Sequence, residues 1–406
     1  MGINFIAIKH RFQETWERNL LFLALSQFIA MMGMNACVPF LPLYIRELGV
    51  VGESAQRFWS GLVFAGPYFL SIIFVPIWGN LGDRYGKKLM IIRAIFGLAL
   101  AMFLMGFAKN VWQLFLLRVF QGASSGFIAA NLGFAVANTP EDKKGSAVGF
   151  LQSSQSAGAL TGPLLGGFIS DIFGFREVFF VVAALCLVSA ILIIFFVKEI
   201  NKTKENQEEC IIDILKLVVR RKDYRNALIM IVIGQVGIFL TFPIIPYYLE
   251  QLNVPKEIIS SATGIAIGIT SAFNIIFAPI WGRWADKTPI TRLLKRSVII
   301  LSIGMFLHSI AFNYLLIYPI RIVLGISIAG LVPLLYSYLG KIAEPVRIGS
   351  IMGFASSATL FGSLLAYLGS AFVAPLIELE WLFVISSGIL LSILFFIKSN
   401  SKDSEK

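Results

Sequence analysis

Charge is scarce in this chain: of 406 residues only 14% are Asp, Glu, Lys or Arg, against 57% hydrophobic. Soluble domains carry roughly a quarter charged residues, so the chain lacks the polar material to cover a water-facing surface. Cysteine is scarce too. Cys37 and Cys186 lie in apolar runs and Cys210 in a charged loop, a distribution that excludes a disulfide framework. With two histidines and no Ser/His, paired-carboxylate or His-rich constellation in any apolar run, the chain is expected to be no enzyme and to hold no metal. No glycine-rich loop ending in Gly-Lys-Ser/Thr occurs, which argues against ATP as an energy source. No polar stretch is long enough for a soluble domain.

What is present is long uncharged runs. Cutting at every Asp, Glu, Lys and Arg leaves twelve of fifteen residues or more: 19–45, 58–82, 94–108, 119–140, 145–170, 178–197, 226–249, 258–282, 297–320, 322–340, 348–377 and 381–397. A bilayer core needs ~20 apolar residues per helix. The third run is short, and Leu89 to Ile92 extend it if Arg93 snorkels to the interface. The expectation is an all-α membrane protein of twelve spans.

The net charge of +11 is a topology signal rather than a nucleic-acid footprint. With the amino terminus inside, 27 of the 34 Lys and Arg fall in inner segments. Five (Arg46, Arg57, Lys109, Arg176, Lys256) fall outside, and Arg118 and Arg321 lie within spans. This imbalance predicts cytoplasmic termini.

The chain also repeats itself. Pro76-Ile77-Trp78-Gly79 with Asp83-Arg84 matches Pro279-Ile280-Trp281-Gly282 with Asp286-Lys287 at an offset of 203, as Arg118 and Gly122 match Arg321 and Gly325. Pro39, Pro42 and Tyr44 match Pro243, Pro246 and Tyr248 at 204, as Gly145-Ser146, Gly149 and Phe150 match Gly349-Ser350, Gly353 and Phe354. Two parallel six-helix bundles are therefore expected at 1–198 and 225–406, the second with a short cytoplasmic tail. A cytoplasmic linker at 199–224 joins them, where Ile211, Ile212, Leu215 and Val218 suggest a partly amphipathic interfacial helix.

Four motifs carry functional expectations. Gly79-Asn80-Leu81-Gly82-Asp83-Arg84-Tyr85-Gly86-Lys87-Lys88 turns tightly between spans two and three. Contacts made by Asp83 in only one conformation would bias a two-state bundle. In span five, Gly158-Ala159-Leu160-Thr161-Gly162-Pro163-Leu164-Leu165-Gly166-Gly167 favours backbone-to-backbone packing and a kink. Pro39-Phe40-Leu41-Pro42 interrupts span one. Arg118 sits inside span four on one face with Gln121 and Ser125, a functional hypothesis by default.

The loop from Gly79 resembles the G-x-L-x-D-R-x-G-R-K signature of the major facilitator superfamily, with Lys87 where Arg is commoner. The span-five run resembles that family's antiporter signature, and the proline pair of span one resembles the twelve-span drug:proton antiporter branch. The resemblance covers the whole chain. It implies an alternating-access efflux transporter for amphipathic small molecules or drugs, in a bacterial inner membrane, driven by a proton gradient with no cofactor. Gly79, Asp83, Arg84, Gly86, Lys87 and the degenerate copy at Asp286 would form a conformational latch. Gly158, Gly162, Pro163, Gly166 and Gly167 would form the antiporter helix motif. Spans one, four, seven and ten would line a cavity including Gln27, Met31, Asn35, Gln121, Gln235, Phe239, Arg321 and Tyr336. Coupling candidates are Arg118, Asp171 and His308, since all 23 Asp and Glu fall in loops, tails or span ends. The lipid bilayer, a small-molecule substrate and protons are the expected partners of a monomer, with no nucleic acid. A dedicated metabolite or sugar exporter or importer, and a non-transporting receptor, are the alternatives.

Overall fold

The computed structural model describes residues 15–199, 220–344 and 348–397, and every element among them is helical. The interfacial helix expected in the linker lies largely outside the described residues. In the first half the helices are α1 (Thr15–Ala36), α2 (Leu41–Glu47), α3 (Glu53–Tyr85), α4 (Lys87–Gly106), α5 (Val111–Ala123), α6 (Phe127–Asn138), α7 (Lys144–Phe173) and α8 (Phe175–Phe196). The second half has α9 (Lys222–Phe239), α10 (Ile245–Gln251), α11 (Ile259–Lys287), α12 (Ile290–Ser309), α13 (Ile317–Ile342), α14 (Ile348–Val373) and α15 (Leu379–Ser392).

Three spans are built from two helices each: α1 with α2, α5 with α6, and α9 with α10. Twelve crossings result. Nine helical segments among the described residues are long and apolar enough to cross a bilayer. The remaining three crossings are α7, rich in small and polar residues, α12, with a basic first half, and the shorter Leu379–Phe395.

Prolines explain two of the breaks. Pro42 opens α2 and Pro246 opens α10, the first after a turn that contains Pro39 and the second after a short 3-10 turn, Phe242–Ile244, that contains Pro243. A proline has no N–H to give the preceding turn, so the helix stops and restarts there. Tyr44 and Tyr248 then pin the short helices to their bundles by donating to the carbonyls of Met105 and His308.

The break in span four uses different chemistry. Gly126 adopts φ +103°, and the carbonyls freed around it find side-chain donors. Trp78 Nε1 donates to Ala123 O at 2.7 Å, and Arg93 Nη2 donates to Ser125 O at 2.7 Å. Arg93 does not snorkel outward as its position suggested. Its guanidinium lies 3.7 Å over the Trp78 ring, because a freed carbonyl and an aromatic face in the bilayer are better partners than distant headgroups. Trp281 makes the equivalent bond to Ile326 O at 2.8 Å, although α13 is unbroken.

Packing follows the duplication. Within the first half α1 packs on α7, α3 on α5 and α4 on α8; within the second, α9 packs on α14, α11 on α13 and α12 on α15. These are the same three pairings. The halves meet along two further contacts, α7 on α11 and α3 on α14, and this seam positions everything functional.

Candidate functional site

The seam is shut at one end. The start of α1 and the end of α8 lie on one side, joined by Asn19 Nδ2 donating to Lys198 O (2.7 Å) and Lys198 N donating to Asn19 Oδ1 (2.9 Å). On the far side, where α2 and α10 sit, polar contacts bridge the halves. Arg46 and Glu250 form a bidentate pair at 3.0 and 2.7 Å, and they stand 204 residues apart, the repeat offset itself. Opposite charges at equivalent positions meet across the pseudo-symmetry axis. Tyr247 donates to Pro42 O at 2.7 Å, and Arg57 Nη1 reaches Ala374 O and Ile377 O at 3.4 and 3.3 Å. Asp171 accepts from Ser261 N at 2.7 Å, capping α11 where a helix amino terminus favours an anion. A vestibule of about 830 Å³, lined among others by Arg46, Glu53, Arg57, Glu250 and Glu380, opens above these contacts.

Small residues make the closure possible. A Cβ on Gly61 would lie 2.4 Å from Ala371 N, and one on Gly264 would lie 2.2 Å from Pro163 O. One on Gly167 would lie 2.4 Å from Ser260 O. The span-five motif thus has two faces. Gly158, Gly162 and Gly166 press on the α1 backbone, with would-be Cβ contacts of 2.5, 2.5 and 1.8 Å to Phe28 O, Met32 O and Ala36 O. Pro163 and Gly167, on the adjacent face, press on α11 across the seam. One stripe holds a bundle together and the other holds two bundles against each other.

At the opposite end the seam is open. Gly79, Gly149, Gly282 and Gly353 are exposed, and a Cβ on any of them would meet nothing within 4 Å. Asp83 is paired within its own half, to Lys87 at 2.6 Å, and Arg84 and Asp286 are exposed. Gly86 is required locally: its φ is +106°, and a Cβ would strike Glu199 Oε2 at 2.7 Å, where that carboxylate caps α4 through Lys87 N and Lys88 N.

Between the two ends lies an aromatic cluster drawn from both halves. Phe64 and Tyr68 of α3 meet Tyr367 of α14 at ring distances of 5.5 and 5.3 Å. Phe239 of α9 meets Tyr367 at 5.9 Å and Phe242 at 5.5 Å. Arg118, 4% exposed, stands beside it with its guanidinium 6.0 Å from the Phe64 ring. Its Nη1 donates to Gln121 Oε1 at 3.0 Å and its Nη2 to Cys37 Sγ at 3.5 Å. Ser125, expected on the same face, is separated from them by the break in span four.

Of the other candidates, Gln235 lies by the cluster, accepting from Ser363 Oγ at 3.4 Å, and Phe239 belongs to it. Tyr336 shares a hydrogen bond with Thr359 at 2.9 Å. Asn35 Nδ2 turns back to Met31 O at 2.8 Å. Gln27 is fully buried inside the first half, accepting from Asn131 Nδ2 at 2.7 Å and donating to Gln155 at 3.3 Å. Arg321, 6% exposed, lies deep in the second half near Tyr248 and His308. His308 stacks on Phe383 at 5.0 Å, away from the seam. Sequence reasoning missed Phe64, Tyr68, Phe242 and Tyr367. Tyr367 had a signal: it replaces Pro163 at the repeat offset.

A duplicated twelve-span bundle, closed at one end of its central seam and open at the other, is the architecture of a secondary transporter. The chain belongs to the Major Facilitator Superfamily, whose sequence profile matches residues 23–307 and again 227–406. Curated relatives include multidrug resistance protein MdtG of Citrobacter koseri, 31% identical over 379 residues covering 93% of each chain. MdtG of Proteus mirabilis is 30% identical over 369 residues, covering 89% of this chain and 90% of that one. Among solved structures, the nucleoside transporter NupG superposes with TM-score 0.77 at 14% identity, over 93% of this chain and 98% of that one. A bacterial homologue of the human lysosomal transporter Spinster, inward-facing and unoccupied, gives 0.78 at 12% identity, over 95% and 96%. These superpositions speak to the fold. The chain is a multi-pass membrane transporter with a small-molecule substrate and a lipid surround.

Proposed function

We propose that this protein exports amphipathic small molecules from the bacterial cytoplasm in exchange for protons, working as a monomer with both termini inside. The name shared by its curated relatives, multidrug resistance protein, supports drugs as the cargo. The charge imbalance of the loops supports the orientation. On that reading the shut end of the seam is periplasmic and the structure is an inward-facing state. The linker at 199–224 then joins bundles 1–198 and 225–406 on the cytoplasmic side.

One observation carries the alternating-access part. Gly61 and Gly79 are eighteen residues apart on α3, as are Gly264 and Gly282 on α11, Gly167 and Gly149 on α7, and Ala371 and Gly353 on α14. Eighteen residues are five turns at 3.6 residues per turn, so each pair shares a face about 27 Å apart. The upper member of each pair is packed across the seam, and the lower meets nothing. Rocking the halves about the aromatic cluster brings the lower set together and frees the upper. Asp83 then reaches the opposite half, as a latch for the outward-facing state.

Expression in a pump-deficient host tests the reading. Accumulation of fluorescent amphiphiles is expected to fall, and collapsing the proton gradient to abolish the fall. Unchanged accumulation across a broad panel refutes export of this substrate class.

A further inference from the structure

Two opposite charges in the second half stand unpaired close to one tyrosine. Arg321 of α13 is 6% exposed, and its Nε is buried without a partner. Glu380 of α15 has one carboxylate oxygen buried without a partner, and the other accepts from Gln251 Nε2. Both charges lie within electrostatic reach of the Tyr248 hydroxyl. The register of the helices agrees. A Cβ on Gly304 of α12 would lie 2.7 Å from Leu324 Cδ2 of α13. Those two spans run antiparallel, so His308, one turn beyond Gly304, stands level with Arg321. Tyr248 donates to His308 O, and its ring lies 4.8 Å from that of Phe383, one turn from Glu380. It therefore reaches from the level of Arg321 to within a turn of Glu380.

Tyr248 is carried by α10, a short helix that the first half holds in place. Tyr247 donates to Pro42 O and shares a hydrogen bond with Ser60 at 3.0 Å, and Glu250 takes the bidentate Arg46. The side-chain hydrogen bonds of α10 to its own half use neutral donors, Tyr248 and Gln251. Matching positions of the first half, 204 residues earlier, are built differently. There Glu47 and Arg176 tie α2 to its own bundle as an ion pair at 3.7 Å. Glu47 corresponds to Gln251, and Arg176 to Glu380. Since Arg321 corresponds to Arg118 at the offset of 203, the first half has two arginines where the second has an arginine and a glutamate. Only the second half can form this pair.

We propose that α10 is a wedge that keeps Arg321 and Glu380 apart while the far side is shut, and that the two close into an ion pair when it opens. Withdrawal of the first half takes Arg46, Pro42 and Ser60 away from α10. The short helix then lifts on the turn at Phe242–Ile244, and Tyr248 leaves its place against Phe383. The guanidinium takes the carboxylate in a charge-assisted geometry. Leaving both charges unmet raises the shut state, because buried ions offset their desolvation only when paired. Opening therefore makes a contact inside the second half to set against the cross-seam bonds it breaks. This rests on the rocking motion proposed above and adds what stabilises its outward-facing end. Both residues act on the gate rather than on the cargo.

The test is a double-mutant cycle in the full-length protein, read from spin labels at the exposed far-side residues Val51 and Phe312. It is run in a Gly264→Ala background, whose Cβ would lie 2.2 Å from Pro163 O and so favours the open far side. Arg321→Gln and Glu380→Gln are each expected to lower the outward-to-inward ratio by about tenfold to hundredfold, the range for a charge-assisted hydrogen bond. The double variant is expected to lie within about threefold of the lower single, since the pair is lost once. Losses that multiply, or single variants that leave the ratio unchanged, overturn the proposal. Where a variant does not fold, Gln251→Leu decides. It frees Glu380 without touching the pair and should raise the ratio at least about threefold. An unchanged or lowered ratio in Gln251→Leu overturns the wedge. If Gly264→Ala itself leaves a single short distance, the rocking reading falls and this inference with it. If Gly264→Ala lengthens the distance while the cycle shows no coupling, the ion pair alone falls.

Discussion

Replacing Gly264 by Ala is a perturbation whose sign and size follow from the seam. The added Cβ would lie 2.2 Å from Pro163 O and 3.0 Å from Pro163 C, both backbone atoms that no rotamer change can move. Ordinary contact begins near 3.4 Å, so α7 and α11 must part by about 1.2 Å at that point. Overpacking of this kind costs about 1–3 kcal/mol. The cost falls on this state alone, because Gly264 leaves the contact when the halves rock. The gain in helix propensity from Gly to Ala, up to ~1 kcal/mol, is common to both states and cancels. At about 1.4 kcal/mol per decade, the ratio of outward- to inward-facing molecules should rise by about 5- to 150-fold. Gly282→Ala, where nothing lies within 4 Å, should act oppositely. Spin labels at Val51 and Phe312, both exposed loop residues of the far side, read the ratio as a distance distribution. Cys210 is replaced by Ser, while Cys37 and Cys186 are buried. Gly264→Ala must move weight to the long distance and Gly282→Ala must not. A distribution unchanged by Gly264→Ala, in protein that melts normally, refutes the reasoning.

Other outcomes follow from single contacts. Gly166→Ala, with its Cβ 1.8 Å from Ala36 O inside one bundle, should lower the melting temperature without shifting the distance distribution. Gly86→Ala combines a φ of +106° with the Glu199 clash and should destabilise by about 1–3 kcal/mol, read as loss of monodisperse protein. Asp83→Asn removes only an i,i+4 pair here, worth about 0.3–0.5 kcal/mol, so expression stays near normal while export collapses. Full export by that variant removes the latch. Glu250→Gln loosens a pair whose side chains are 41% and 25% exposed, worth about 1 kcal/mol or less, and should lengthen the far-side distance modestly.

Most of the architecture was legible because a bilayer makes few demands and makes them strictly. Uncharged runs gave the spans, and the offsets of 203 and 204 gave the duplication. The same offsets carried more than was taken from them. Arg46 and Glu250 are equivalent positions of opposite charge, and such a pair can meet only on the axis. The two stripes of the span-five motif were written in its spacing, Gly158, Gly162 and Gly166 against Pro163 and Gly167, yet which stripe faces the other half depends on bundle geometry. The aromatic cluster was not legible: with 36 phenylalanines and 11 tyrosines, no spacing distinguishes Phe64 or Tyr68 from lipid-facing neighbours. Arg93 misled because the break it mends, at Gly126, has no proline to announce it. His308 suggested a proton carrier by residue type alone, and its stacking on Phe383 sets it apart from the seam.

The central claim is that the free glycine faces are the other gate. A disulfide between Gly79→Cys and Gly353→Cys tests it most directly, since such a bond needs Cα atoms within about 7 Å. In protein turning over substrate the cross-link should form, stop export, and release it again on reduction, with higher yield in a Gly264→Ala background. No cross-link during turnover, or a cross-link that leaves export running, would contradict the account.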